Sequence, residues 1–234
     1  MNTETFRGCA AILFDFGGTL DADGQHWLTR FLALYDAAEL AIPGPEITRA
    51  FYHAVDTCYA DARVALSGLR FLVDYHVHLQ FEALSIDDPA KERLLADEFR
   101  SGCEAFLHDR IRLLTRLKTA FRLGVVSNFY GNLHIVLEEA RLSDLFEVII
   151  DSNVVGVRKP DPRIFRLALA VLGLEGGEVI FVGDSYERDV LPATETGMRA
   201  VWLKDDTRGL EMERKGIPSG ESISRLTDLE ELLR

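Results

Sequence analysis

Asp15 is the residue from which the chemistry of this chain is best inferred. It follows a run of apolar residues and precedes the pair Gly17-Gly18, so it stands where a buried strand would end in a glycine-rich turn. A carboxylate in such a place can attack a phosphorus atom and form an aspartyl-phosphate, which divides one difficult step into two easier ones. An aspartate before glycines can also simply cap a turn. The chemical interpretation therefore needs partners from elsewhere in the chain.

Two further segments carry groups that suit a phosphoryl site. Ser127, followed by Asn128, closes another apolar run, and its hydroxyl can donate to a phosphoryl oxygen. Lys159 lies in a segment stiffened by Pro160 and Pro162, and its ammonium group can neutralise negative charge on a phosphoryl group and on a nucleophile. Taken singly, the serine could cap a helix and the lysine could be a solvated surface residue.

A fourth segment offers two carboxylates. Asp184 follows the apolar run that ends at Gly183, and Asp189 comes shortly after it. Paired carboxylates behind a buried strand suit a hard divalent cation such as Mg²⁺. Such a cation would offset the repulsion between a phosphoryl group and the carboxylate of Asp15. Alternatively, Asp184 could simply cap a turn, and Asp189 could be a solvated surface residue.

The segments that must position these residues alternate between strand-like and helical patterns. Apolar runs rich in Val, Ile and Phe predict five strands, and their continuous apolarity predicts a parallel sheet covered on both faces. The predicted strands are 10–16, 122–128, 146–152, 179–184 and 199–204. Helical periodicity between the last four predicts a doubly wound α/β fold. Residues 24–104 carry several helical stripes in place of a single crossover helix, and residues 227–233 predict a final short helix.

The four motifs, taken in order, resemble those of the haloacid dehalogenase-like (HAD) superfamily. They are Asp-x-x-Gly-Thr at Asp15, Ser-Asn at Ser127, Lys-Pro-Asp-Pro at Lys159 and Gly-Asp-Ser-x4-Asp at Gly183. The resemblance covers nearly the whole chain, and the helical insertion after the first motif is similar to the C1-type cap of that superfamily.

The resemblance implies a Rossmann-like α/β core in which a five-stranded parallel sheet lies between helices. The implied strand order is 5-4-1-2-3, with the strands numbered along the sequence. The core domain would comprise residues 1–23 and 105–234, and the helical cap would comprise residues 24–104.

The resemblance also implies a role for each motif residue. Asp15 would be the nucleophile and Lys159 its catalytic partner. The residues implied to bind the phosphoryl group are Gly18, Ser127, Asn128 and Lys159. The groups implied to bind Mg²⁺ are Asp15, Asp184 and the backbone carbonyl of Gly17, with Asp189 behind them. The implied substrate is a small phosphorylated metabolite.

Gly17 is the point at which this chain departs from the pattern, because most members of the superfamily carry a second aspartate there. The carbonyl of that aspartate binds the metal, and its carboxylate moves a proton to the leaving group and from water. Gly17 keeps the carbonyl and lacks the carboxylate. We therefore expect metal binding to remain and proton transfer, worth roughly 10²–10⁴-fold in rate, to be impaired. Asp21 and Asp23 could replace the missing carboxylate, although an ordinary polar turn is the simpler interpretation.

Other functions stay open at this point. Haloacid dehalogenases also lack the second aspartate and attack carbon without metal, so Asp15 could hydrolyse a carbon–halogen bond; Asp184 and Asp189, which resemble a metal site, argue against this. A catalytically silent binding or regulatory protein is a second alternative, motivated by Gly17 and opposed by the other intact motifs. Phosphonoacetaldehyde hydrolases use a cap lysine as a Schiff base, and Lys91 is the lysine of the predicted cap.

The composition of the chain limits the classes of molecule that it is expected to bind. The net charge of −12 argues against nucleic acid, because phosphate backbones need a basic protein face. The three cysteines have no paired spacing, so neither a disulfide framework nor a zinc site is predicted. The absence of a signal-like or membrane-length apolar run predicts a cytoplasmic protein without membrane contact.

The apolar stretch 71–84 could form a homodimer face or part of the core. The cap residues that could face the substrate are Trp27, Arg30, Tyr52, Tyr59 and His76.

Overall fold

A six-stranded sheet forms the centre of the computed structural model, which describes residues 6–204 and 221–234. Its strands are β1 (Ala11–Phe14), β2 (Arg122–Ser127), β3 (Val148–Asp151), β4 (Val179–Gly183), β5 (Arg199–Leu203) and β6 (Ser222–Ile223). They lie in the order β3-β2-β1-β4-β5-β6, and every neighbouring pair is parallel. The predicted α/β fold class is confirmed, and the first five strands lie in the predicted order.

The sheet has six strands where five were predicted, because β6 adds to the outer edge of β5. Its two residues pair with Trp202 and Leu203. A segment of this length is too short to show either alternating or continuous apolar patterning, which is why the sequence does not reveal it.

Strand β1 lies at the centre of the sheet and is completely buried. Phe14, its last residue, pairs with Val125 on β2 and with Val182 on β4. The chain that follows Phe14 therefore emerges between the carboxyl ends of two neighbouring strands, which is where open α/β sheets build their sites.

Between β1 and β2 the chain forms a run of helices, here called the insertion helices. They are α1 (Trp27–Ala37), α2 (Gly44–Ala60), α3 (Ala62–Ala65), α4 (Leu69–Ala83) and α5 (Pro89–Leu117). Asp88 caps α5 by accepting hydrogen bonds from the backbone N–H groups of Ala90 and Lys91. Helix α5 continues past residue 104, where the boundary between cap and core was predicted, so this division of the chain stays a prediction.

The insertion helices and one face of the sheet share a hydrophobic core that runs from Ile12 and Phe14 to Phe31 and Phe99. The rings of Phe31 and Phe99 stack with their centroids 4.1 Å apart, and the Trp27 ring meets Phe99 edge-on at 4.9 Å. These contacts stabilise α1 against α5 and hold the start of α1 beside the end of β1.

The remaining helices follow the outer strands. They are α6 (Leu133–Glu139), α7 (Ser152–Val155), α8 (Arg163–Leu172) and α9 (Leu191–Glu195). Helix α8 buries one apolar face against the sheet and is followed by Gly173, whose φ of 64° is left-handed and suits glycine. The predicted final helix corresponds to a short turn over Leu226–Asp228 followed by a helix over Leu229–Leu232. Among the described residues, none of the helices combines the length and apolarity that crossing a bilayer would require.

Candidate active site

The carboxyl edge of the sheet gathers the motif residues around Asp15. Asp15 follows β1, Ser127 is the last residue of β2, and Asp184 follows β4. Because β1 lies between the other two strands, their ends meet at one place. Ser127 Oγ donates a hydrogen bond to Asp15 Oδ1 over 2.7 Å, and both side chains are buried. Asp15 and Ser127, from the first two motifs, therefore meet through a direct contact between their side chains.

Lys159 joins this group from the loop before α8. Its Nζ lies 2.7 Å from Asp15 Oδ1 and 2.5 Å from Asp189 Oδ1, and its side chain is only 3% exposed. Burial alone would lower the pKa of Lys159, but the charges of Asp15 and Asp189 outweigh it, so the net shift is upward. The ammonium group therefore stays protonated between two carboxylates.

Asn128 holds the loop that carries this lysine. Its Nδ2 donates to the backbone carbonyl of Lys159 over 2.9 Å, and its Oδ1 accepts from the backbone N–H of Lys159 over 2.8 Å. Both the nitrogen and the oxygen of the Asn128 side-chain amide therefore form hydrogen bonds with the backbone of Lys159. The resemblance implied phosphate binding by Asn128, and the contacts in the structure give it a positioning role toward Lys159.

Three buried carboxylates meet beside the ammonium group. Asp15, Asp184 and Asp189 each offer an oxygen atom that lies within 4.8 Å of the other two. Burial raises the pKa of Asp189, and Lys159 opposes that shift. A Cβ on Gly18 would lie 2.7 Å from the carboxyl carbon of Asp184, so only glycine leaves room for this approach. An all-oxygen donor set with more negative than positive charge fits a hard divalent cation.

Gly17 lies at the edge of this group and lines the same cleft. Its φ of −72° and ψ of 114° are open to any residue, so its backbone conformation does not require glycine. A Cβ built at this position would point toward the indole of Trp27, with Nε1 at 3.6 Å and Cδ1 at 3.8 Å. The indole therefore lies in ordinary van der Waals contact with the Cβ position of residue 17.

Asp21 fixes the indole in that place. It is completely buried, accepts from Trp27 Nε1 at 2.5 Å and from the backbone N–H of Gly18 at 2.7 Å, and lies 3.5 Å from Arg30 Nη1. Burial raises the pKa of Asp21, and the charge of Arg30 opposes the shift. A polar turn was the simpler expectation for Asp21; the chain does turn at this residue, and the side chain is completely buried inside the turn.

Asp23 has a different role, since its Oδ1 accepts from Arg110 Nη2 at 2.6 Å and from the backbone N–H of Leu226 at 2.9 Å. Neither Asp21 nor Asp23 is among the residues that line the cleft. The structure thus gives no support to a direct replacement of the missing carboxylate by either residue.

The cleft above Asp15 has a volume of about 150 Å³, and residues of α1 and α2 form part of its lining. Of the candidates expected to face the substrate, Trp27, Tyr52 and Tyr59 line it. Arg30 instead contacts Asp21, and His76 is buried within the insertion helices, where it contacts Gln80.

Three basic residues of the cleft were missed by the sequence analysis: His26, Arg158 and Arg188. The two arginines directly precede Lys159 and Asp189, so their adjacency to motif residues was the available signal. His26 directly precedes α1, and no sequence pattern marks it.

Comparison with known proteins agrees with this geometry. A family model described as haloacid dehalogenase-like hydrolase matches residues 9–197. The chain is 33% identical over 125 residues to the pyrimidine 5'-nucleotidase YjjG of Escherichia coli, covering 53% of this chain and 54% of that protein. It is 40% identical over 93 residues to a phosphoserine phosphatase of Thermus thermophilus, covering 40% of this chain and 35% of that protein. The chain therefore spans about half the length, or less, of these curated relatives.

A solved dehalogenase with an intermediate complex has a similar fold. Its TM-score is 0.64 at 19% identity, over 97% of both chains. At that identity the similarity concerns the fold alone.

Proposed function

Because the chain belongs to the haloacid dehalogenase-like hydrolases, we propose that it hydrolyses small phosphorylated metabolites through a Mg²⁺-dependent phospho-enzyme on Asp15. The observation that carries the proposal is the meeting of Asp15, Asp184 and Asp189 within 4.8 Å, next to the ammonium group of Lys159. Attack on carbon by a lone carboxylate needs no such acidic cluster, whereas phosphoryl transfer is served by a cation beside the nucleophile.

Asp15 would attack with the oxygen that its neighbours leave available. Its Oδ1 accepts from Ser127 and lies against Lys159, so Oδ2 is the candidate nucleophile. A bond forms between this oxygen and phosphorus as the bond between phosphorus and the leaving oxygen breaks. Water then attacks the aspartyl-phosphate, releasing phosphate and the original carboxylate. Lys159 and Ser127 would hold the phosphoryl oxygens and the nucleophile in place throughout.

Asp15, Asp184 and the backbone carbonyl of Gly17 would hold Mg²⁺, with Asp189 behind them. The ion, when bound, would supply neutralisation of the negative charge shared by the phosphoryl group and Asp15. Oxygen-only donors suit Mg²⁺ better than the softer transition metals.

The missing carboxylate at position 17 restricts which substrates such a site can serve. An alkyl ester leaves as an alkoxide and needs a proton in the transition state, while an acyl phosphate leaves as a stable carboxylate. We therefore propose that acyl phosphates and other activated phosphates are turned over faster than alkyl phosphates.

The size of the cleft supports a small substrate. Its volume of about 150 Å³ is below the 300–1,000 Å³ typical of pockets for drug-sized ligands. We propose that residues 24–104 act as a cap that closes over this substrate. A cytoplasmic location and a homodimer stay proposals from the sequence.

The test is a panel of acyl phosphates, sugar phosphates and nucleotides with Mg²⁺, in which released phosphate is measured for the wild type and for Asp15→Asn. We expect acyl phosphates to be hydrolysed by the wild type alone, with a phosphorylated Asp15 trapped by rapid quenching and located by mass spectrometry. Failure of every phosphate to react, together with no modification of Asp15, would contradict the proposal.

Hydrolysis of a carbon–halogen bond by Asp15 is the second candidate. One observation favours it: Gly17 supplies no group for proton transfer, and departure of a halide ion requires none. Release of halide from 2-haloacids that persists in EDTA would support this activity. Phosphate release that EDTA abolishes, without halide release, would exclude it. Turnover of either kind that Asp15→Asn abolishes would also end the alternative of a catalytically silent protein.

A further inference from the structure

Part of the cleft lining is made of aromatic rings that the proposed chemistry does not use. These rings, here called the aromatic wall, are those of Trp27, Phe51, Tyr52, Tyr59, Phe129 and Tyr130. The wall begins close to the nucleophile, since Trp27 Nε1 lies 3.6 Å from a Cβ placed on Gly17. It continues through Tyr130, whose ring centroid lies 6.3 Å from that of Trp27 and 5.2 Å from that of Tyr59. A leaving group attached to a phosphoryl group at Asp15 can therefore contact the wall.

Helix α2 turns one face toward the cleft. Tyr52, Val55 and Tyr59 recur at the i, i+3, i+7 spacing of a single helix face, and all three line the cleft. Val55 and Tyr59 are half-buried and Tyr52 is 46% exposed, whereas Phe51 is buried in the core. Asp56 is the polar member of this face and is exposed. Apolar surface left open in a cleft is typical of a ligand-binding groove.

Two rings of the wall are fixed by hydrogen bonds at their polar ends. Trp27 Nε1 donates to Asp21 over 2.5 Å, and the Tyr59 hydroxyl is hydrogen-bonded to Ser152 Oγ on α7 over 2.5 Å. Arg158 adds a cation–π contact, with its Cζ 5.0 Å from the centre of the Tyr59 ring. Because these rings are already ordered, a ligand that packs against them loses little binding energy to the ordering of side chains.

The lack of a carboxylate at Gly17 favours an aromatic leaving group as well. A phenol has a pKa of about 10, as in tyrosine, whereas an alcohol is nearly as weak an acid as water, whose pKa is about 15.7. A bond forms between Asp15 Oδ2 and phosphorus as the bond between phosphorus and the phenolic oxygen breaks. The phenolate leaves with the bonding electron pair and takes a proton from water after its departure. This step needs no positioned acid.

We propose that the aromatic wall binds the leaving group, and that the preferred substrates are monocyclic aryl phosphates, in which the phosphoryl group is esterified to a phenolic oxygen. An apolar cavity of about 150 Å³ holds one benzene ring, and the cleft has a volume of about 150 Å³, so a single ring is the limit. This inference deepens the proposed function and rests on it, because it takes the phosphoryl group to be at Asp15.

Unreactive phosphonates test the aromatic wall by binding alone. Isothermal titration in saturating Mg²⁺ compares ethylphosphonate, cyclohexylmethylphosphonate and benzylphosphonate, which share the phosphonate and differ in a small, an aliphatic or an aromatic side group. We expect benzylphosphonate to bind at least about tenfold more tightly than ethylphosphonate, since each buried CH₂ group strengthens binding by about fourfold. We expect it to bind about two- to tenfold more tightly than cyclohexylmethylphosphonate, because contacts between aromatic rings add to simple burial.

Variants of α2 assign this preference to the wall. Tyr59→Leu replaces a ring by an aliphatic group and should reduce the preference for benzylphosphonate over cyclohexylmethylphosphonate by at least about twofold. Tyr59→Phe restores the ring without the hydroxyl and should retain the preference. Tyr52→Leu makes the same change at an exposed position, so it tests the wall even if Tyr59→Leu does not fold. Phe71→Ala is the control, because it removes an exposed ring of α4 outside the cleft lining and should leave all three affinities unchanged.

The aryl preference would be overturned if the wild type binds benzylphosphonate no more tightly than either of the other two phosphonates. A preference that Tyr59→Leu and Tyr52→Leu both retain in full would overturn the role of the wall. The failure of the proposed function looks different. If none of the three phosphonates binds the wild type in Mg²⁺, the phosphoryl site itself is refuted, and the aryl preference is refuted with it.

Discussion

The substitution Gly17→Asp tests what the missing carboxylate costs this enzyme. The backbone at Gly17 accepts any residue, with φ at −72°. The nearest atoms to a new Cβ are Trp27 Nε1 at 3.6 Å and Cδ1 at 3.8 Å, which are ordinary van der Waals contacts. The aspartate can therefore enter the cleft without displacing the backbone. We expect the variant to fold and to regain proton transfer to the leaving group.

We expect a large gain in catalytic rate and a moderate loss in the free energy of unfolding. A positioned acid and base is worth roughly 10²–10⁴-fold in rate. Trp27 Nε1 lies 3.6 Å from the new Cβ and 2.5 Å from Asp21 Oδ2, so this Cβ stands within about 6 Å of the Asp21 carboxylate. Two like charges at this separation repel by about 3 kcal/mol at an effective dielectric constant of 20. The repulsion from Asp21 alone should lower the free energy of unfolding by about that amount, which a protein of ordinary stability tolerates.

The assay compares an alkyl phosphate with an acyl phosphate in Mg²⁺, for the wild type, Gly17→Asp and Gly17→Asn. Asparagine has the shape of aspartate but carries no transferable proton at neutral pH, so it controls for filling the cleft. We expect Gly17→Asp to raise kcat on the alkyl ester by roughly 10²–10⁴-fold and to change kcat on the acyl phosphate much less. Gly17→Asn should raise neither.

Two results would refute this reasoning. An equal rise for Gly17→Asp and Gly17→Asn would mean that volume, and not proton transfer, limits the wild type. No rise in a folded Gly17→Asp variant, with acyl phosphates still hydrolysed, would mean that the indole of Trp27 keeps the new carboxylate away from the leaving group.

Three further predictions concern the charges of the site. Lys159→Met leaves Asp15 and Asp189 buried without their shared cation, so the free energy of unfolding in urea should fall by about 3–5 kcal/mol; an unchanged value would contradict the ion-pair geometry. Burial raises the pKa of Asp21 in the folded state, so its contribution to stability is complete below the unfolded pKa and is lost as pH rises through the folded pKa. Asp21→Asn should therefore gain in stability relative to the wild type as pH rises above the ordinary aspartate pKa, in parallel urea titrations, and a constant difference would oppose this. Mg²⁺ at a hundredfold excess over its Kd should raise the free energy of unfolding by about 2.7 kcal/mol, measured by thermal denaturation, and Asp184→Asn should remove most of that effect.

The sequence by itself determined the scaffold and the identity of the groups at its centre. The run from Ala11 to Phe14 is continuously apolar, so it had to be a buried strand and Asp15 had to stand at its end. Ser127 and Asp184 follow runs of the same kind. Parallel strands place all their carboxyl ends at one edge of the sheet, so the sequence alone was enough to predict that these three residues lie close together.

The tertiary structure alone decided what surrounds that centre. Strand β6 exists because two residues pair with the edge of β5, which local patterning cannot show. Asp21 became a buried anchor for Trp27 because α1 packs over the turn after β1. His26 and Arg188 are 162 positions apart in sequence, and only the packing of α1 against the loop after β4 brings them to 3.4 Å. Local propensity depends on residues that are neighbours in the chain, and strand order determines only which strand ends meet along one edge of the sheet. Contacts of this kind depend on the packing of side chains from distant segments, which the pattern of any one segment does not contain.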